Sequence, residues 1–422
     1  MISRIEALNY RCLRDVDVSL EPFHILVGPN ASGKSTLLDV ISFLRDLLNE
    51  GIESAIVRRG QSLQELLWMR QGDELQLAVE LRLPDDVRTR VNTNGRMWSH
   101  CRYEVCLGFT EPNGAVSLVD ESLFVIDGSR RAPITREEPP SLFPVESVPR
   151  SSIVVKSRKH IPRGWRKTVG LGSGGRANFY SETTNWIVAL RPVPQRVALS
   201  SVPEEDRFPA ASWAKRALSE GVEMMVLSSR AMREPCRPDL PTTFRSDGSN
   251  LPIVVRSLQQ NHPESFERWL AHLRTVFPAL RSISVVEREI DRFLYLVVNY
   301  TTGLTIPSWL LSDGTLRLFA LTLLAYDHGQ GRISLIEEPE NGIHPKAAEA
   351  VYQSLSSVYA GQVLCATHSP VFVGLARPAD LLCFAMTPSG VTSIVKGTEH
   401  PALRNWRQQV SLDTLFAAGV LG

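Results

Sequence analysis

The sequence predicts an α/β protein: a mixed sheet with a parallel core, an antiparallel β part, and an irregular insert between the two halves of the core. Three observations predict it. Apolar strands alternate with amphipathic helices at both ends of the chain, the mark of parallel construction. Period-two alternation over 75–83 and 101–126 marks antiparallel strands. Between about 127 and 245 the pattern weakens and Pro-rich pieces (139–149, 202–209, 235–241) interrupt it.

Residues 1–27 read as three strands: one starting at Ile2, Ile5 and Leu8, one carrying Val16, Val18 and Leu20, and a short buried run from Phe23 to Val27. Gly28-Pro29-Asn30 breaks the third. A helix follows from Lys34 to about Leu48, with Leu37, Leu38, Ile41, Leu44 and Leu48 on one face and Gly51 as its stop. The weak middle holds one helix near Ala211–Glu220. After it come a helix over 262–276, strands at 283–287, 293–300 and 304–307, and a long helix from Asp313 to about Asp327. A buried strand Ile333–Glu337, a helix Pro345–Ala360 and a strand Val363–Ala366 lead to a strand–turn–strand tail. The expected organisation is 1–126, an inserted subdomain 127–223, and 224–422.

At 422 residues the chain is long enough for two or three packing units. Its 46 Lys+Arg against 45 Asp+Glu give no whole-molecule attraction to nucleic acid or anionic lipid, so any such surface must be local. Six scattered cysteines without a C-x-x-C pair argue against a disulfide scaffold and a zinc site. The N-terminus lacks a signal-peptide core, and the longest apolar stretch, Leu316–Tyr326, carries Arg317 and is too short to span a bilayer. A soluble cytoplasmic protein without membrane contact is expected.

Gly28-Pro29-Asn30-Ala31-Ser32-Gly33-Lys34-Ser35 fits G-x-x-x-x-G-K-[ST] between a strand and a helix, the context the motif requires. Backbone N–H groups and a helix N-terminus there face a polyphosphate, Lys34 neutralises β/γ charge, and the Ser35 hydroxyl ligates Mg²⁺. Ile333–Glu337 ends in Glu337-Glu338, at the sheet edge where ligands of open α/β folds sit. Paired acids there fit a solvated loop as well as a site. As a site, Glu337 serves Mg²⁺ and Glu338 the attacking water. His368 ends the next strand, within reach of a γ-phosphate. Ser312 reads as the N-cap of the helix from Asp313. A capped start exposing Ser312 and Gly314 is also an anion site, suited to a nucleotide held by another copy.

Gly28–Thr36, Leu311–Thr315, Ile333–Pro345 and Thr367–Pro370 together resemble the Walker A, signature, Walker B/D-loop and switch-histidine motifs of the SMC, RecF and OLD ATPases of the ABC superclass. Met232-Arg233-Glu234-Pro235 and Gly248-Ser249-Asn250-Leu251 look like the "AAA family ATPase" group within it. The likeness covers about 1–83 and 224–422, and implies an ABC-type P-loop NTPase head that hydrolyses ATP with Mg²⁺. It also implies a homodimer sandwiching two ATP molecules, with Asn30, Ala31, Ser32, Gly33, Lys34, Ser35 and Thr36 of one subunit facing Ser312 and Gly314 of the other. In that family's terms Glu338 and His368 are catalytic, and Ser35 and Glu337 hold the metal. Glu337 stands where Asp is usual. Asp313 replaces a Gly, bringing a negative side chain near the triphosphate and slowing hydrolysis. Gln61 and Gln64 are equal candidates for the Q-loop; Arg58 and Arg59 match either an arginine loop or a solvated basic turn; Arg11 is a candidate near the nucleotide.

Only 54 of the 422 residues follow His368, too few for the nuclease domain of OLD proteins, and no coiled-coil arm is encoded. The resemblance therefore implies an ATPase subunit of a prokaryotic DNA-linked defence or repair system, acting on a separate effector such as a nuclease or toxin. An ATP-gated clamp sequestering a toxin or effector, and a RecF-like DNA clamp, are the alternatives. Lys156–Lys167 holds six cations and Trp165, a composition suited to nucleic acid or to an acidic partner protein.

Overall fold

A computed structural model describes the chain apart from residues 93–96, 110–113, 131–141, 147, 156–159, 172–175, 185, 192, 194, 204–205, 328, 330, 405 and 407–409. The opening residues form β1 (Ile2–Tyr10), β2 (Leu13–Ser19) and β3 (Phe23–Val27), as their alternation predicts. The antiparallel strands follow as β4 (Glu74–Arg82), β5 (Trp98–Phe109) and β6 (Val116–Asp127). Beyond them lie β7 (Trp165–Leu171), β8 (Ala177–Tyr180), β9 (Ile187–Leu190) and β10 (Val222–Met225). Among the described residues one antiparallel sheet runs β2-β1-β4-β5-β6-β7-β8-β9.

The described part of 127–223 therefore does not stand apart. Strands β7 to β9 continue the sheet outward from β6, because their apolar residues (Val169, Ala177, Phe179) face the same core as β5 and β6. Two buried carboxylates fasten the stretch after β9. Glu121 of β6 accepts the N–H groups of Ala198 and Leu199, and Glu182 those of Ala210 and Ala211. Each carboxylate thus satisfies orphan donors at a helix start, and burial raises both to about 7. The helix Pro209–Ser219 then packs through Ala210, Ala211, Ala214 and Leu218 in the same core as the helix Lys34–Asn49.

The other sheet face is charged and covered. Arg102 pairs with Glu6, with Glu104 at 2.7 Å and with Glu80 at 3.4 Å, and donates to Ile153 O at 2.9 Å. Arg150 reaches Asp15 at 2.7 Å, while Ile153 and Val154 pack on Leu8, Ala78 and Cys106. Buried charges on this face are thereby paired, as burial demands.

Strands β11 (Leu280–Glu287), β12 (Leu294–Tyr300) and β13 (Thr305–Pro307) form a small antiparallel sheet. The remaining strands, β14 (Ile333–Glu337), β15 (Gln362–Ala366), β16 (Leu381–Met386) and β17 (Thr392–Lys396), complete the sheet that carries the site, ordered β10-β14-β15-β3-β16-β17. Its strands pair in parallel except β17, which is antiparallel to β16. The sequence boundary at 223/224 falls inside β10, whose Val222 pairs with Ile333.

Period-two alternation divides this sheet between two cores. Leu26, Ile333, Leu335, Leu364, Ala366, Leu382 and Phe384 face the helix Lys34–Asn49 and the antiparallel sheet. Phe23, Ile25, Val27, Ile336, Val363, Cys365, Leu381 and Cys383 face the helices Leu251–Asn261, Pro263–Val276, Asp313–Leu323 and Pro345–Ser356. Gln362, fully buried, ties the sheets together: it accepts from Ile2 N at 2.9 Å and donates to Ile2 O at 2.8 Å and Glu21 O at 3.0 Å. No helix among the described residues is long and apolar enough to cross a membrane.

Candidate functional site

Register places three strand ends side by side: Leu26 of β3 pairs with Ala366 of β15, and Ala366 with Glu337 of β14. The turns beyond these ends converge on one cavity of about 440 Å³, lined by Lys34, Ser35, Glu337, Glu338, His368 and Arg317 among others. Ligands of open α/β sheets sit at this carboxyl edge. Because β15 lies between β3 and β14, the lysine loop and the acidic pair face each other across the histidine strand.

Two glycines make the loop. Gly28 has φ 148°, and a Cβ there would lie 2.2 Å from Phe384 O. Gly33 has φ 102°, and a Cβ there would lie 2.7 Å from Thr392 Oγ1. Neither position accepts an L side chain without displacement. Asn30 and Ala31 are exposed, with Ala31 also left-handed, while Ser32 is buried and its Oγ has no partner among the described residues. An orphaned hydroxyl in a side-chain-free cradle at a helix start fits an anionic ligand. Lys34 Nζ donates to Gly28 O at 2.8 Å and Pro29 O at 2.7 Å. Burial lowers its ammonium to about 8, against the opposing pull of Glu337 and Glu338. Ser35 opens on the cavity; Thr36 lies 3.4 Å from the Cys12 thiol.

The acidic end is held by its backbone. Glu338, at φ 46°, donates its N–H to Ala366 O at 2.8 Å, and its carboxylate lies 3.5 Å from Asn341 Nδ2. Thr367 Oγ1 donates to Glu340 Oε1 at 2.5 Å, joining the turns after β14 and β15. Burial lowers the His368 imidazole, Lys34 lowers it further, and Glu338 and Glu337 oppose. His368 is thereby kept neutral, able to accept as well as donate. Among the described residues no three His, Cys, Asp or Glu group to hold a metal alone. Ser35 and Glu337 are two oxygen ligands on one cavity, which suits Mg²⁺ completed by phosphate and water.

Ser312 and Gly314 do not line this cavity. Ser312 Oγ accepts from Thr315 N at 3.2 Å, the N-cap that the sequence predicts. A Cβ on Gly314 would lie 2.5 Å from Gly342 O, so this helix start rests against the turn after β14. Asp313 is not left uncompensated: Arg233 pairs with it. Arg317 escaped the sequence reading as a site residue; it donates to Asn341 O at 3.1 Å and reaches the cavity. The signal was a lone cation in an apolar helix.

Gln61 and Gln64 line a different cavity, away from the phosphate loop. Arg59 is buried on Asp39 (2.7 Å) and Asp46 (2.9 Å), which excludes the solvated turn at that position; Arg58 pairs with Glu50. Arg11 donates to Arg59 O at 3.0 Å. Within the basic segment, Lys156, Ser157, Arg158 and Lys159 lie outside the described residues. Trp165 is a strand residue packed on Phe124 (5.5 Å), with Arg102 over its ring, and so is not a free stacking platform.

Residues 1–103 match a family described as "AAA ATPase domain", and residues 242–374 one described as "AAA domain, putative AbiEii toxin, Type IV TA system". Over 44 residues the chain is 43% identical to an OLD nuclease of Thermus scotoductus, a stretch that is 10% of this chain and 8% of that protein. An Smc head bound to the C-winged helix domain of ScpA is similar over 93% of this chain and 97% of that one, at TM-score 0.52 and 12% identity. The Smc head domain with an extended coiled coil bound to the C-terminal domain of ScpA, derived from Pyrococcus furiosus, is similar over 93% and 95%, at TM-score 0.50 and 12% identity. These structural likenesses are of fold. AAA ATPase families are thus matched over the segments that carry Lys34 on one side and Glu337, Glu338 and His368 on the other, in a chain with the fold of Smc heads and a short stretch similar to an OLD nuclease.

Proposed function

We propose that this ATPase acts as a homodimer that sandwiches two ATP molecules, closing on binding and opening on hydrolysis. The backbone of Asn30 to Thr36 wraps the phosphates, and Lys34 leaves its own loop carbonyls to neutralise the β/γ oxygens. Ser35 and Glu337 hold Mg²⁺, which when bound adds positive charge at the transferred group. Glu338 orients the attacking water, and neutral His368 hydrogen-bonds between that water and the γ-phosphate. Ser312 and Gly314 come from the second copy. One observation carries this reading: lysine, serine, two carboxylates and histidine from three strand ends meet in one cavity, while the capped helix start stands outside it. Glu338→Gln should lower turnover about a hundredfold and trap an ATP-dependent dimer, read by sedimentation. A variant that stays monomeric at saturating ATP refutes the sandwich.

The wider role we propose is control of a separate effector, a nuclease or toxin, in a prokaryotic DNA-linked defence or repair system. The match to a family described with the AbiEii toxin supports it. A second reading, an ATP-gated clamp on a protein partner, is favoured by Smc heads solved in complex with ScpA domains. Turnover measured with and without DNA separates the protein clamp from the other readings: stimulation by DNA favours the DNA-linked effector role or a RecF-like DNA clamp, and indifference the protein clamp.

A further inference from the structure

Met232-Arg233-Glu234-Pro235 has no part in the site as described, yet Arg233 stands over the start of the Asp313–Leu323 helix. Its Nε and Nη2 donate to Leu311 O at 3.1 and 2.9 Å, and Nη2 also pairs with Asp313. Its own carbonyl accepts from Ser308 Oγ at 3.1 Å, which pins its backbone to the turn ahead of Ser312. The side chain is 33% exposed, and Nη1 donates to nothing among the described residues.

Asp313 explains the need for such a residue. A carboxylate in a first helical turn stabilises the helix, but it carries the wrong charge where a polyphosphate must arrive. Like charges brought close at a protein surface repel more strongly than in water. Arg233 cancels that charge. With Nε and Nη2 committed to Leu311 O and Asp313, the two N–H groups of Nη1 are left to donate to a phosphate oxygen. An arginine held by two acceptors and still partly exposed is preorganised to meet an incoming anion.

We infer that Arg233 is a phosphate-contacting residue for the triphosphate bound by a second copy of this chain, with Asp313 as its tether. The inference rests on the sandwich reading, and the test separates the two. Lys34 acts on the nucleotide of its own subunit, Ser312 and Arg233 on that of the partner. Full-length Lys34→Ala, Ser312→Arg and Arg233→Ala proteins should each turn over ATP at least a hundredfold more slowly than wild type. Mixed one to one, half the dimers are hybrids, each with one intact site, so Lys34→Ala with Ser312→Arg should recover about a quarter of the wild-type rate. Lys34→Ala with Arg233→Ala should recover the same. Recovery in the first mixture alone overturns the assignment of Arg233 and leaves the sandwich standing. No recovery in either overturns both.

A second arm excludes mere charge cancellation. Arg233→Ala combined with Asp313→Asn should remain at least tenfold below wild type. Full restoration would show that Arg233 serves only to neutralise Asp313. Fluorescent-ATP binding by the Arg233→Ala monomer reports its folding, and Arg233→Lys, which keeps a donor for Leu311 O, replaces it in the mixtures if binding is lost.

Discussion

Lys34 makes nucleotide affinity depend on alkaline pH. Its amine is enclosed by the loop it serves, with Nζ on Gly28 O and Pro29 O, and burial brings it down to about 8. Polyphosphate on the loop restores the charged form toward about 10.4, the ordinary lysine value. The protonated form is the one that binds, so affinity is near its maximum up to about pH 7 and falls as pH rises through about 8. Between pH 7 and pH 9 the fraction protonated in the free protein drops about tenfold, so Kd should rise about tenfold over that interval. At pH 9 about 0.9 proton should be taken up per nucleotide bound, against about 0.1 at pH 7. Titration calorimetry with ATP, in buffers of differing ionisation enthalpy, measures both quantities. Lys34→Arg keeps its charge throughout and should flatten the profile whatever its absolute affinity. A flat wild-type profile from pH 7 to 9.5, or a slope that survives in Lys34→Arg, refutes the argument.

Gly28→Ala forces a methyl group to 2.2 Å from Phe384 O at a left-handed backbone position. It should cost about 2–4 kcal/mol in urea unfolding and abolish ATP binding. Arg59→Ala removes one partner from each of Asp39 and Asp46, which keep Tyr10 and Arg11, and Arg45, respectively, and should cost about 1.5–3 kcal/mol, seen as a lower urea midpoint. Cys12 is half-buried beside Thr36 while the other five cysteines are buried. Native protein should therefore take up one maleimide rapidly, by mass spectrometry, and ATP should slow it.

The sequence made the phosphate loop, the acidic strand end and the histidine legible because each is local: a motif, a strand and a helix within about a dozen residues. Spatial order was not local. That β15 separates β3 from β14 depends on the pairing of β3 with β15 across more than 300 residues, which no periodicity encodes. The reading of 127–223 as an insert failed to see β7 to β9 join the first sheet, since short strands between Pro-rich pieces carry little period-two signal. The helix Leu251–Asn261 was missed at a Pro252 that reads as a breaker but sits in the first turn, where proline is tolerated. Asp313 looked like an uncompensated charge only because its partner, Arg233, lies 80 residues away.

Strand β3 has a bearing on biosynthesis. Both its neighbours, β15 and β16, are made more than 300 residues after it, and Gln362 closes hydrogen bonds to Ile2. The lysine loop at the tip of β3 is thus unsupported on the ribosome until synthesis has passed β16 and that strand has emerged. A nascent chain, or one terminated before that point, has no completed ATP pocket. Competence for turnover arrives late and all at once, so incomplete products cannot compete with finished subunits for nucleotide.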